Sequence, residues 1–222
     1  MQVWLRRFVL FLAAIGTVAS IAPPASAHPH VYIDMKTAFH FDAKGQLDAL
    51  RVVWIFDEFY SAFALDGAPK TDSGYDAAFL AELAAENLKN LAEWNYFTEV
   101  TSEGAPVETV AATDALSEWD EDTGRLSLSF TLPLKEPYTV STDGPLDVRI
   151  FDPSYYISID YLPEDPVSLT GGPHDACSIK MNTPEVEQVW TALPESAFTD
   201  PNSTLGANFA STVTLVCAPG KS

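Results

Sequence analysis

The chain has 222 residues, 47% of them hydrophobic, with 12 Lys and Arg against 31 Asp and Glu and a formal net charge of −19. This length suits one medium-sized domain. The acidic balance argues against nucleic acid and anionic membranes as partners, because both are bound through basic surfaces.

The amino-terminal segment predicts export. Two arginines precede an apolar run over residues 8–21, and Ala25 and Ala27 follow at the small-residue positions of a cleavage site. This order is typical of a secretory signal peptide, and the run is shorter than an ordinary membrane-spanning helix. An uncleaved membrane anchor is the alternative. We expect a signal peptide over residues 1–27, a mature chain that begins at His28, and a periplasmic protein that does not insert into the membrane after cleavage.

The first half of the mature chain predicts a hairpin and a helix. Apolar and polar residues alternate over residues 31–41 and 47–56, which is typical of half-buried strands. The turn between them predicts an antiparallel pair. Apolar residues spaced by three and four over residues 75–94 predict one long helix, with Ser73 or Asp72 as its N-cap.

The second half predicts further strands and a short helix. Residues 147–151 and 155–161 are predicted to pair across a turn, and Thr183 is predicted to cap the short helix. Other strand patterns lie at residues 97–110, 125–132 and 212–217 and around Ile179. We therefore expect a mainly β fold with an α insertion, namely one antiparallel β-sandwich-like domain over residues 28–222 with a helical insertion at about 66–96.

The chain contains two cysteines, Cys177 and Cys217. Export would place them in an oxidising compartment, where disulfides persist, and two cysteines allow only one pairing. We therefore predict a disulfide between them. The alternative is a pair of thiolate metal ligands, which an oxidising compartment disfavours.

The predicted mature amino terminus carries candidate metal ligands. His28 would offer an imidazole and a free α-amine, and alternation along a strand places His30 on the same face, about 7 Å away. The predicted hairpin returns Asp57 and Glu58 to this end. Imidazoles and carboxylates are ligands for zinc and similar divalent metals. The alternatives are a frayed, solvated amino end and acidic residues that cap a strand end in water.

Two further residues are second-tier metal candidates. His174 lies three residues before Cys177 and belongs to a loop, where a hydrogen-bonded structural role is the alternative. Asp152 precedes a proline, and initiation of a turn alone explains an Asp at that position. His40 lies too far along the first predicted strand to join His30.

Three stretches resemble a known bacterial family. They read HPHVYID at 28–34, WIFDEFYS at 54–61 and FDPSYY at 151–156, and the two late cysteines are also similar. The chain resembles the periplasmic family labelled domain of unknown function 1007, described as a periplasmic component of an uncharacterised ABC-type transport system. The resemblance implies a metal-handling accessory, because similar proteins are associated with nickel/cobalt-type or other transition-metal transporters.

These observations lead to one main hypothesis and two rivals. We expect a periplasmic accessory protein that binds a divalent transition metal, with zinc ahead of nickel, cobalt and copper, and that serves a membrane metal transporter or its binding protein. The first rival is a metal-free β-sandwich module that docks on a transporter. The second is an enzyme such as a copper oxidase built on the terminal histidine. We do not expect an enzyme, because common hydrolase and metalloprotease motifs are missing from the sequence.

Overall fold

The computed structural model describes residues 29–72, 74–194, 196–199 and 204–218. The predicted signal peptide, residues 1–27, and the candidate ligand His28 lie outside these described residues.

Strands dominate the described chain. In chain order they are β1 (Val31–Phe41), β2 (Leu47–Phe56), β3 (Lys70–Thr71), β4 (Gly74–Tyr75), β5 (Thr98–Ser102), β6 (Ala105–Pro106), β7 (Thr113–Asp120), β8 (Arg125–Tyr138), β9 (Leu146–Ile150), β10 (Ile157–Tyr161), β11 (Val167–Gly171), β12 (Cys177–Asn182) and β13 (Thr212–Cys217).

Helices connect the strands at several points. They are α1 (Glu58–Ala64), α2 (Ala77–Leu91), α3 (Val186–Ala192) and α4 (Ser196–Thr199), with short 3₁₀ segments at Ala92–Phe97 and Leu205–Asn208. Among the described residues, no helix has both the length and the apolar character needed to cross a membrane.

Two larger sheets build the domain. The first sheet has the order β10-β1-β2-β8-β7, and β11 also pairs with β1. The second sheet has the order β12-β13-β9-β5-β6, while β3 and β4 form a separate small hairpin. Buried apolar residues from both larger sheets form one hydrophobic core. The structure therefore confirms the predicted mainly β, sandwich-like fold with a helical insertion.

The β1–β2 hairpin has the predicted strands and pairing. Val31–Phe41 alternates between buried and more exposed positions along its whole length, and β1 pairs antiparallel with β2. The turn is closed by the Asp42 carboxylate, which accepts hydrogen bonds from the backbone N–H groups of Lys44 and Gln46. Gly45 lies in this turn at φ 76°, where the absence of a side chain avoids strain.

The long helix is present, but its predicted cap is wrong. Asp76 is the N-cap of α2, and its carboxylate accepts the backbone N–H of Phe79 at 3.0 Å. Of the two predicted caps, Asp72 precedes the β4 strand and lies too early to cap this helix, and Ser73 lies outside the described residues. The short β3–β4 hairpin delays the start of the helix, and the capping preference of a single residue carries no information about such a hairpin.

The predicted pairing of residues 147–151 with 155–161 is also wrong. β9 pairs antiparallel with β5 and β13 in the second sheet. β10 instead runs parallel to β1 in the first sheet. The turn after Ile150 therefore carries the chain from one sheet to the other.

The short helix near residue 186 also begins later than predicted. α3 starts at Val186, and Glu185 is its N-cap without a side-chain capping hydrogen bond. The hydroxyl of Thr183, the predicted cap, instead lies 3.0 Å from the Ser211 hydroxyl, next to the first residue of β13.

Candidate functional site

The predicted disulfide is confirmed. Cys177 and Cys217 are bonded to each other, and they are directly opposite residues of the antiparallel β12–β13 pair. The two sulfurs are therefore used in a covalent bond that joins an edge strand to the interior of the second sheet. This bond is compatible with the oxidising compartment expected for an exported protein.

Asp57 links the amino end of β1 to α1. Its Oδ1 accepts the backbone N–H of Tyr60 at 2.8 Å, so Asp57 is the N-cap of the helix. Its Oδ2 accepts the backbone N–H of Tyr32, also at 2.8 Å. The hairpin therefore does return Asp57 to the amino end of β1, and both carboxylate oxygens already accept a backbone hydrogen bond there.

His30 lies at the entrance to β1. Its backbone N–H donates to the Tyr156 carbonyl at 2.8 Å, and its imidazole stacks on the Tyr156 ring with the ring centroids 4.7 Å apart. The His30 side chain is exposed. The imidazole is thus held against an aromatic ring at the surface, near the start of α1.

Asp152 organises the turn that presents Tyr156. Its carboxylate is buried and accepts hydrogen bonds from the Ser154 N–H and hydroxyl and from the Ile157 N–H. Several hydrogen bonds to one buried carboxylate are a structural arrangement that fixes a turn. The local turn role therefore accounts for the position of this second-tier metal candidate.

His174 lies far from the amino end. Its Nδ1 is 2.7 Å from the Gly172 carbonyl oxygen, and its ring stacks on Phe41, the last residue of β1, with centroids 5.7 Å apart. His30 precedes the first residue of the same strand. An eleven-residue strand spans roughly 35 Å, so these two histidines do not share a site.

The candidate ligands do not assemble into a recognisable metal centre within the described chain. Across residues 29–72, 74–194, 196–199 and 204–218, no group of three or more His, Cys, Asp and Glu side chains is placed to hold a metal ion. Glu58 is exposed in the first turn of α1. The proposed role of His28 remains a prediction, because that residue is outside the described part.

The outer face of α1 is a feature that the sequence analysis missed. Phe59 is 91% exposed and Phe63 is 80% exposed, and a spacing of four residues places both on one side of the helix. The opposite side packs inward through Tyr60, whose ring stacks on Phe56 with centroids 4.6 Å apart, and through buried Ser61 and Leu65. The signal in the sequence that could have revealed this exposed face is the spread of Phe59, Tyr60 and Phe63 around a helix of only seven residues, which cannot bury all three rings on one side.

The chain belongs to the family described as protein of unknown function (DUF1007), whose pattern matches residues 12–217. This match covers nearly the whole chain and includes every candidate residue discussed above. No curated protein sequence matches the chain.

Proposed function

We propose that this protein is an exported docking module that binds a membrane-transport protein through the outer face of α1. The observation that carries the proposal is the pair Phe59 and Phe63, which expose nearly their whole side chains on a helix anchored by its other side.

The exposed pair supplies apolar surface that is unfavourable in water. Burial of one phenylalanine side chain is worth roughly 1.5–3 kcal/mol. Single exposed apolar residues are ordinary on protein surfaces, but Phe59 and Phe63 are neighbours on one helix face. Aromatic residues are also enriched in the buried centres of protein interfaces. A partner that covers both rings would therefore gain substantial binding energy.

The helix that presents the pair is held rigidly. Asp57 caps its first turn and joins it to β1. The Ser61 hydroxyl is buried and accepts the Leu126 backbone N–H at 2.9 Å, which connects α1 to β8. A surface that is ordered before binding loses little conformational entropy on binding, and this supports α1 as a preformed recognition element.

The charge of the chain supports one kind of partner. Glu58 and Asp66 are exposed carboxylates at the two ends of α1, and the formal net charge of the chain is −19. A matching surface has an apolar groove for two phenyl rings and basic residues around it, because complementary charges speed association and exclude wrong partners. Because the chain resembles transporter-associated proteins, we propose that this groove lies on the periplasmic side of a metal transporter or on the binding protein of that transporter.

Site-specific crosslinking in the native cell tests the proposal. A photo-crosslinking phenylalanine analogue placed at position 59 or 63 is expected to capture the same membrane-transport protein from both positions. The same analogue at Leu116, an exposed apolar residue on β7, is the matched control and is expected to miss that partner. Capture from all three positions, or of no transport protein from either α1 position, would refute the proposal.

A binding measurement then gives the energetic contribution. With the captured partner purified, calorimetry compares the wild type with the double variant Phe59→Ser and Phe63→Ser. The double substitution is expected to weaken binding at least about tenfold, because each aromatic contact at an interface is worth roughly 1 kcal/mol or more. The thermal midpoint is expected to stay unchanged, because both side chains are already exposed. Unchanged affinity would remove α1 from the interface.

Metal capture at the amino end is a second candidate function. It is favoured by the position of His30, whose exposed imidazole lies at the entrance to β1. The Asp57 carboxylate accepts the backbone N–H of Tyr32, which is only two residues after His30 along β1. The proposed ligands are His28, His30, Asp57 and Glu58, with zinc as the first metal to test.

Calorimetric titration with zinc tests this candidate on protein that carries its native amino terminus. Replacement of His28 and His30 by Ala, or addition of one residue before His28, is expected to weaken zinc binding without affecting partner binding through α1. Zinc binding that is absent from the native protein, or insensitive to both changes, would reject the metal site and leave the docking proposal intact.

A further inference from the structure

A cavity of about 240 Å³ lies between the carboxyl end of α2 and the first sheet. Its sheet side includes Val31, Ile33 and Leu128, all of which are buried core residues. Its outer edge includes Asn90 and Trp94, both of which are exposed. The cavity therefore reaches from the hydrophobic core to the protein surface.

Aromatic rings in two stacked pairs line this cavity. Tyr60 stacks on Phe56 with the ring centroids 4.6 Å apart, and Phe97 stacks on Trp54 with the centroids 6.2 Å apart. In each pair one ring is buried in the core, whereas Tyr60 and Phe97 are only partly buried. Trp94 adds a further ring at the outer edge, where it is 61% exposed. The rings of Tyr60, Phe97 and Trp94 therefore keep surface that a bound molecule can contact.

A strained turn supplies part of the cavity wall. Asn95, Tyr96 and Phe97 have consecutive φ values of 49°, 53° and 54°, a left-handed conformation that is sterically unfavourable for residues with a side chain. The turn is held in place because the Thr98 hydroxyl donates to the Tyr96 carbonyl at 2.9 Å and the Tyr96 hydroxyl accepts the Ala112 backbone N–H at 3.0 Å. Strained backbone that its surroundings hold in place is concentrated at functional sites and ligand clamps. The turn is thus a second observation that points to a ligand at this wall.

The walls favour an uncharged molecule. Within the described chain, every side chain that lines the cavity is uncharged, and most of them are apolar. Burial raises the pKa of the Tyr60 hydroxyl above its ordinary value, so this group stays neutral. A charged ligand would lose its hydration here without an opposite charge to compensate.

The size of the cavity and its rings favour a single aromatic ring as the core of that molecule. An apolar cavity of about 150 Å³ holds benzene, and typical ligand pockets measure roughly 300–1,000 Å³. The cavity beside α2 lies between these sizes and suits one ring with a short alkyl substituent. Aromatic rings attract each other in offset-stacked and edge-to-face arrangements beyond the effect of buried area, so an aromatic ring is favoured over a saturated ring of similar size.

We infer that this cavity binds a small, uncharged molecule built on one aromatic ring with a short alkyl substituent, and that the partly exposed rings of Tyr60, Phe97 and Trp94 select it. This site is separate from the docking proposal, because it requires no partner protein and does not use Phe59 or Phe63.

Three probe molecules of similar size test the inference by titration of the purified mature protein. Isopropylbenzene carries the aromatic ring, isopropylcyclohexane replaces it by a saturated ring, and benzoate keeps the ring but adds a negative charge. A site that selects by hydrophobicity alone prefers isopropylcyclohexane, which is the most hydrophobic of the three. The inferred site is expected to bind isopropylbenzene saturably, at least about threefold more tightly than isopropylcyclohexane, and not to bind benzoate. Equal or tighter binding of isopropylcyclohexane, or no saturable binding of isopropylbenzene, would overturn the inference.

Nuclear Overhauser effects in NMR spectra report where isopropylbenzene binds. Its ring protons are expected to show such effects to the methyl groups of Val31 and Leu128, which line the cavity. The methyl groups of Leu116, an exposed residue on β7, are the control and are expected to show none. Saturated protein without effects to Val31 or Leu128 would place the probe elsewhere and refute this site.

Removal of one exposed ring tests the selection without disturbing the core. Trp94→Ala is expected to fold normally, because the side chain is largely exposed, and to weaken isopropylbenzene binding at least about threefold. Phe63→Ala is the matched control, because it removes an 80% exposed ring from α1 that does not line the cavity. It is expected to leave isopropylbenzene binding unchanged. Unchanged affinity in Trp94→Ala, or the same loss in both variants, would contradict the inference.

Discussion

The Asp57 carboxylate accepts the Tyr32 backbone N–H at 2.8 Å and the Tyr60 backbone N–H at the same distance. One side chain thus joins the amino end of β1 to the first turn of α1. Because α1 has only seven residues, it depends on such contacts more than on intrinsic helix stability. The orientation of Phe59 and Phe63 therefore rests on this carboxylate.

Replacement of Asp57 by Ala is expected to lower the free energy of unfolding by about 2 kcal/mol, since it removes an N-cap and leaves two backbone N–H groups without their acceptor. Urea unfolding measures the change. Glu58→Ala is the matched control and is expected to change stability by less than about 0.5 kcal/mol, because Glu58 is exposed. Equal effects of the two substitutions would contradict the linking role of Asp57.

Loss of the disulfide is expected to destabilise the fold strongly. Cys177 and Cys217 are 40 residues apart in sequence, and closure of a loop of this length stabilises the folded state by about 4 kcal/mol in the chain-entropy model. Replacement of both cysteines by Ser is expected to lower the urea midpoint, and a reductant is expected to lower the wild-type midpoint similarly. A reductant should leave the double variant unchanged. A wild-type midpoint that does not respond to complete reduction would show that the bond contributes little.

Arg125 fastens the end of β2. Its guanidinium donates to the carbonyl oxygens of Ile55 and Phe56 and to the Asp34 carboxylate. Arg125→Met is expected to cost about 2–3 kcal/mol of stability, because two backbone acceptors and one carboxylate lose a charged donor.

Asp34→Asn separates these contributions. It keeps the backbone contacts of Arg125 and weakens only the partly exposed ion pair, so its cost is expected to be at most about 1 kcal/mol. Hydrogen exchange at the end of β2 is expected to accelerate in Arg125→Met and not in Asp34→Asn. If Asp34→Asn costs as much as Arg125→Met, the ion pair rather than the carbonyl contacts holds this strand end.

Tyr161 is expected to make stability fall in alkali. Burial raises the pKa of its hydroxyl to about 12, whereas an unfolded tyrosine ionises near its model value of 10.0. The unfolded chain therefore loses this proton first, so stability is complete below pH 10 and declines as pH rises toward 12. Urea midpoints measured between pH 9 and 11 should show this decline.

Tyr161→Phe removes the ionisable group and is expected to make that alkaline decline shallower. Tyr32→Phe is the matched control, because Tyr32 is an exposed tyrosine on β1. This substitution is expected to leave the slope of stability against pH unchanged. An identical slope in the wild type and Tyr161→Phe would show that Tyr161 does not control the alkaline response.

Local pattern determined much of the fold. The alternation over residues 31–41 and 47–56 predicted both strands of the first hairpin, because side chains on a strand alternate between core and solvent. The three-and-four spacing predicted the long helix, because residues three and four apart lie on the same face of an α-helix. The two cysteines predicted their own bond, since only one pairing was possible. Each of these inferences needs only neighbouring residues or a single choice.

Only the tertiary structure decided which sheet each later strand joins. β9 and β10 are separated by a short turn and look like a hairpin in the sequence, but they enter different sheets. Strand pairing between distant segments depends on which faces are buried together, and local alternation contains no information about that choice.

The candidate sites were decided in the same way. In a helix as short as α1, apolar residues on both sides leave the inward face undetermined until Tyr60 packs on Phe56 and turns Phe59 outward. A cavity of about 240 Å³ between the carboxyl end of α2 and the first sheet exists only because long-range packing brings these two elements together. Sequence periodicity thus determined which segments form strands and the long helix, while long-range packing determined which surfaces and cavities those elements create.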